Sequence, residues 1–338
     1  MKEALYYRKS GKTVSCTLCP RLCTIKPGQW GYCRARKNVN GKLYSMTYGK
    51  LLTNNIDPIE KKPFFHFAPG SFCLSIATTG CNLRCLFCQN DAIAMAPEPY
   101  GNDVKPLDVV DYAVKSGVPG IAYTYTEPTI YYEFALDVMK LARKKGLYNV
   151  WVSNGYTNPA PIKRMARYLD AVNVDLKGDM KFYQKMCSVK DETPMHRALK
   201  EYKKHKVWIE VTNLLIPGHN DKPAQVKRLI EWVKKNLGAG TPIHFTRFWP
   251  AHMMKGIKAT PVKTLDMAYE TAKKMGMRYP YVGNVPGHDG ESTYCPKCGK
   301  VMIERKGNSL YEYRERCKCG GKITIKGKRW SGVKTVGQ

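Results

Sequence analysis

Acidic side chains are scarce in this chain: 27 Asp and Glu against 56 Lys and Arg leave a formal net charge of +29 over 338 residues. An excess of that size points to an acidic partner, whether nucleic acid, an anionic membrane surface or an acidic protein. No apolar run is long enough to cross a bilayer, so a membrane-spanning helix is excluded. The first twenty residues, MKEALYYRKSGKTVSCTLCP, lack the apolar core of a secretory signal. These absences predict a cytoplasmic protein. Wholesale disorder is excluded too, because 43% hydrophobic and 25% charged residues are globular values.

Cysteine is plentiful. In a reducing compartment thirteen of them point to metal rather than disulfides. Cys73 and Cys187 stand alone in apolar surroundings and read as buried packing residues; the rest form three local groups. Cys81, Cys85 and Cys88 follow C-x3-C-x2-C on a short loop after the apolar run Phe72–Ala77. Three thiolates can bind three irons of a cubic [4Fe–4S] cluster, and the loop has no fourth cysteine for the remaining iron. A structural zinc site would require that fourth ligand. Cys16, Cys19, Cys23 and Cys33 form a four-thiol group for zinc or a second iron–sulfur cluster, alternatives the spacing leaves open. Cys295, Cys298, Cys317 and Cys319 end two Cys-Gly knuckles joined by β-type sequence and read as a zinc ribbon, with C-x-C in place of C-x2-C in the second. Filling all three sites would lower the net charge by about five, to roughly +24.

From Phe72 onward short apolar runs alternate with helical patterns, the signature of βα repeats around a parallel sheet. Strands are predicted at Phe72–Ala77, Gly120–Tyr125, Tyr148–Ser153, Ala171–Leu176, Val207–Leu214 and Pro242–Phe248. Helices with basic outer faces are predicted between them, for example over Thr129–Lys145 and Lys222–Asn236. The expected fold is α/β, a partial (βα)6 TIM-type barrel over residues 71–290. A Cys-rich metal-binding segment over 1–70 precedes it and a zinc-ribbon-like module over 291–338 follows. Active sites of such barrels lie at the carboxyl ends of the strands. Candidate polar groups there are Thr126 and Glu127 after the second strand and Ser153 and Asn154 after the third. Asp175 and Lys177 end the fourth, and His252 follows the sixth. Glu127 is the natural partner for a ligand ammonium. Asp175 and Lys177, two apart, face the same side of a strand, as ligand contacts or as a structural ion pair. Phe87 and Gln89 flank the third cysteine; Phe87 shields a cluster or simply packs.

The C-x3-C-x2-C spacing is that of the radical S-adenosylmethionine (SAM) enzymes, and the likeness extends along nearly the whole chain. Cys-Thr-Leu-Cys-Pro-Arg-Leu-Cys near the start, Cys81-Asn-Leu-Arg-Cys-Leu-Phe-Cys-Gln-Asn90, Thr124-Tyr-Thr-Glu-Pro-Thr129, Ser153-Asn-Gly-Tyr156, Asp175-Leu-Lys177, Leu215-Ile-Pro-Gly-His-Asn-Asp221, Tyr281-Val-Gly-Asn-Val-Pro-Gly287 and the terminal ribbon carry it. The sequence resembles the radical SAM enzymes of the AmmeMemoRadiSam system, relatives of the pyruvate formate-lyase activating enzymes. The resemblance implies a [4Fe–4S] cluster on Cys81, Cys85 and Cys88, with SAM held at the open iron among Ser153, Asp175, Lys177 and His252. It also implies partner proteins. Two departures stand out: Thr126 and Glu127 lack the paired glycines of the activating enzymes, and Val152 replaces their acidic residue. Only about thirty residues separate Asn90 from the next strand, so their ferredoxin-like insert is missing.

The expected activity is reductive cleavage of SAM to a 5′-deoxyadenosyl radical, with hydrogen abstraction from a small molecule or a protein glycine. An acidic ferredoxin or flavodoxin would serve as electron donor. The alternatives are an RNA-modifying radical SAM enzyme, which uses the basic surface and the ribbon, and a zinc-ribbon binding protein with a vestigial barrel.

Overall fold

A computed structural model describes residues 1–332 of the chain. Its centre is an eight-stranded sheet in which each strand pairs with its sequence neighbour. The strands are β1 Thr53–Pro58, β2 Phe72–Ala77, β3 Gly120–Tyr123, β4 Tyr148–Ser153, β5 Ala171–Asp175, β6 Trp208–Leu215, β7 Ile243–Arg247 and β8 Pro280–Gly283. From β2 to β8 all pairs are parallel; β1 lies antiparallel along the edge, with Thr53 opposite Ala77. The two edges do not pair, so the barrel is open. All six predicted strands form. The reading missed β1, whose sequence Thr-Asn-Asn-Ile-Asp-Pro is mostly polar, and β8, only four residues long. β1 lies within residues 1–70 yet belongs to the main sheet.

Helices return the chain between strands: α1 Pro106–Lys115, α2 Tyr132–Lys144, α3 Pro159–Met165, α4 Met180–Cys187, α5 Thr193–Lys204, α6 Pro223–Asn236 and α7 Val262–Lys274. The helix expected over Thr129–Lys145 begins as a 3-10 turn, Pro128–Tyr131, before α2. Proline in the first turn starts α1, α3, α5 and α6, where its missing N–H costs nothing. Lysine or arginine ends α2, α5, α6 and α7, opposite the partial negative charge of the helix carboxyl end. Much of the basic excess is therefore spread around the outer wall. No described helix is long and apolar enough to cross a membrane.

The carboxyl-terminal unit forms a sheet of β9 Thr293–Tyr294, β10 Val301–Lys306 and β11 Ser309–Tyr313. It docks on the open edge, sharing a core in which Phe65, Tyr279 and Tyr281 meet Met302, Ile303 and Ile325. A buried polar chain fastens the joint. Arg305 donates to the Thr293 hydroxyl (2.9 Å), which lies 2.7 Å from the Tyr281 hydroxyl. Tyr281 meets His66 Nε2 at 2.5 Å, and His66 Nδ1 reaches the Thr324 carbonyl at 2.7 Å. Facing a carbonyl, Nδ1 carries a proton, and in the neutral ring Nε2 accepts from Tyr281.

Burial lowers the His66 pKa to about 4. The unfolded chain therefore binds the proton first, and stability is full above the ordinary histidine pKa and lost as pH falls toward 4. Thermal melts should show a decline between about pH 6.5 and 4, reduced in His66→Gln. An identical decline in the variant would assign the acid sensitivity elsewhere.

Candidate active site

The cluster loop leaves the carboxyl end of β2 at Gly80, whose φ of +95° suits glycine. A Cβ there would meet the Cys33 carbonyl at 2.5 Å, so the amino-terminal segment presses directly on the loop. Backbone bonds from Arg84 and Leu86 to the carbonyls of Cys187 and Met186 fix its middle to the end of α4. Cys81, Cys85 and Cys88 then open on one pocket with the ends of the barrel strands. Its cavity volume, about 370 Å3, lies within the range of a single-ligand site.

The sequence-predicted residues mostly converge here. Phe87, Gln89, Thr126, Glu127, Ser153, Asn154, Asp175 and Lys177 all line the pocket. His252 does not; its Nδ1 lies 2.8 Å from Asp91, just beyond the cluster loop, on a turn where Met253 donates to the Leu86 carbonyl. It braces the loop from outside.

Glu127 lines the pocket at the strand end where its sequence puts it, and there it is bonded to the protein. The carboxylate is buried and accepts four bonds, from Thr129 N (3.0 Å), Thr129 Oγ1 (2.5 Å), Ser153 Oγ (2.9 Å) and Asn154 N (2.8 Å). It ties the end of β3 to the end of β4, with three donors on Oε1 and one on Oε2. Asn154 is thereby held with Nδ2 2.9 Å from Asn82 Oδ1 and 3.8 Å from Cys81 Sγ. Lys177 bonds Asp175 at 2.7 Å and lies 5.6 Å above the Phe87 ring, which in turn packs on Phe182. Asp175 and Lys177 thus form an ion pair and also line the pocket. Burial opposes the Lys177 charge, but Asp175, Cys85 and Cys187 outweigh it and keep its pKa well above the ordinary value.

Sequence reasoning missed Lys62, Asn90, Thr212 and Asn284, which also line the pocket. It missed the reason for the Leu215–Asp221 motif as well: Asn220 Nδ2 donates to the carbonyls of Lys177 (2.6 Å) and Leu214 (2.7 Å), clamping β5 and β6 together. Cys187 is fully buried, as expected, but against Cys85, and it does not line the pocket.

The donor set suits an iron–sulfur cluster. Burial raises the Cys81 pKa and pushes Cys88 to about 11, while the bond to Cys187, then burial, raises Cys85 well above the thiol range. Thiols in such surroundings become thiolates by binding metal. Leu83 N (3.4 Å) points at Cys81 Sγ, as do donors that tune cluster potentials.

The two four-cysteine groups assemble differently. Cys295, Cys298, Cys317 and Cys319 lie within 4.8 Å of one another, a geometry that fits one metal ion. Cys16, Cys19, Cys23 and Cys33 line one pocket with Arg36 and Asn82.

Comparison with known proteins agrees with this architecture. The Radical SAM superfamily profile matches residues 75–233, from the cluster strand into α6. An uncharacterized protein of Methanocaldococcus jannaschii is 45% identical over 335 residues, covering 96% of this chain and 99% of its own. Among solved structures, a radical SAM methyltransferase from Sphaerobacter thermophilus shares the fold, with TM-score 0.50 and 16% identity over 68% of this chain and 69% of its own. A domain of a pyruvate-formate lyase-activating enzyme from Bacteroides vulgatus matches with TM-score 0.43 and 17% identity, over 49% of this chain and 99% of its own.

Proposed function

We propose that the chain, whose residues 75–233 match the Radical SAM superfamily profile, is a SAM-cleaving radical SAM enzyme of the AmmeMemoRadiSam type acting on a small-molecule or protein substrate. The observation that carries this reading is the three-cysteine loop opening on a pocket ringed by polar strand ends, with Cys187 turned away from it.

When bound, the cluster supplies the electron that cleaves SAM to methionine and a 5′-deoxyadenosyl radical, which takes a hydrogen atom from substrate. Cys81, Cys85 and Cys88, which line the pocket, would hold three irons of a [4Fe–4S] cluster as thiolates. Lys177, kept protonated beside Asp175, offsets thiolate charge near Cys85. Ser153, Asn154 and Thr126 present the polar rim, and Glu127 holds that rim in place through its four bonds. Phe87 packs on Phe182 and keeps water from the cluster side. Cys295, Cys298, Cys317 and Cys319 would hold a zinc ion, which would staple a unit whose own core is small.

Anaerobic incubation of reconstituted protein with SAM and dithionite tests the reading. Equal amounts of methionine and 5′-deoxyadenosine are expected; intact SAM under these conditions overturns it.

A further inference from the structure

We infer that the cavity between α5 and α6, outside the central pocket, binds a guanine nucleotide. Its volume is about 620 Å3, larger than the central pocket and within the range of a small-molecule site. Both helices wall it, and Leu176 and Gly178, just after β5, complete the lining.

Two features of the wall point to a planar ligand that carries N–H donors. His196 on α5 and Trp232 on α6 both line the cavity and stack on each other, with 3.9 Å between ring centroids and 12° between planes. Burial, then the Lys200 charge, lowers the His196 pKa to about 4, so the slab consists of two neutral rings. An aromatic surface of this kind takes a nucleobase by stacking, whatever the base carries on its edge. The second feature selects the edge. Glu192, at the amino end of α5, lines the cavity, and among the described residues its buried Oε2 has no hydrogen-bond donor. A buried carboxylate oxygen left without a donor is costly, and a ligand N–H satisfies it. Guanine presents two donors side by side, N1–H and the 2-amino group, which match the two oxygens of one carboxylate. Adenine presents only its amino group.

The mouth carries the charge that a phosphate needs. Lys200, Lys235 and Arg228 line it and are exposed; Asp179 occupies Arg228 at 3.1 Å. Glu231 is the remaining acid at the rim, so two lysines face one carboxylate there and the mouth stays positive.

The site is separate from the central pocket yet joined to it through the chain. Lys177 lines the central pocket, while its neighbours Leu176 and Gly178 line this cavity. Asn213 and Asn220 line the cavity too, and they donate to the carbonyls of Leu176 and Lys177, both at 2.6 Å. A nucleotide bound here would rest on the segment that positions Lys177.

Equilibrium dialysis of the reconstituted full-length protein against GMP, under anaerobic conditions and with excess SAM, tests the inference. The readout is binding alone, so it does not depend on SAM cleavage. About one GMP per chain is expected, undisturbed by SAM, with AMP bound about tenfold more weakly or worse. Glu192→Gln and Trp232→Ala should each weaken GMP binding by about tenfold. Should Trp232→Ala not fold, Lys200→Ala, a change at an exposed side chain, should still weaken GMP and leave the melting temperature unchanged. Absence of saturable GMP binding, equal binding of AMP, or unaltered affinity in Glu192→Gln overturns the inference. Displacement of GMP by SAM would place the nucleotide in the central pocket and overturn it as well.

Discussion

Cys85→Ala lowers 5′-deoxyadenosine formation from SAM by about a thousandfold or more, equivalent to at least ~4 kcal/mol of lost transition-state stabilisation. The effect is large because two thiolates cannot hold a cluster that needs three protein ligands and must still present an open iron. The loop itself should survive. Its backbone is fixed by Arg84 and Leu86 to the carbonyls of Cys187 and Met186, and neither bond uses the Cys85 side chain. Far-UV circular dichroism should match wild type while product disappears. Cys187 adjoins Cys85 and is the one thiol placed to stand in for it. Cys187→Ser should therefore retain cleavage, and adding it to Cys85→Ala should change nothing further. Substantial product from Cys85→Ala that vanishes only in the double variant would make Cys187 a functional ligand.

Glu127→Ala costs about 3–5 kcal/mol of folding stability, because it strands the buried Thr129 and Asn154 N–H groups at about 1–3 kcal/mol each and removes the bonds to two hydroxyls. For a chain of this size the melting temperature should fall by roughly 5 °C. Glu127 sits at a strand end, so the turn through Ser153 and Asn154 loosens and SAM binding weakens with it. An unchanged melting temperature would contradict the holding role of these four bonds.

These two residues also show what the sequence could reveal. The cysteine trio was legible because ligand spacing on one loop is local information, and the alternating runs from Phe72 gave six strands of the sheet for the same reason. Asp175 and Lys177 were legible from the two-residue period of a strand. Glu127 was placed at the correct strand end; two of its bonds are local, from Thr129, but the other two come from Ser153 and Asn154 at the end of β4, and that pairing depends on sheet order. His252 misled because the sixth predicted strand does end beside the pocket, while the 3-10 turn after it swings the ring toward Asp91. The strand β1 was hidden by polar residues on an exposed edge, where one face needs no apolar side chains. The burial of Arg36 against Glu133 was equally hidden, since charge on a β strand ordinarily signals solvent.

The most direct test of the central claim is electron–nuclear double resonance on the reduced protein with SAM labelled by 15N at its amino group. The account predicts a hyperfine coupling that shows nitrogen bound to iron, lost in Cys85→Ala and retained in Cys187→Ser. A reduced cluster with no coupling to the labelled nitrogen would contradict an open iron at this loop.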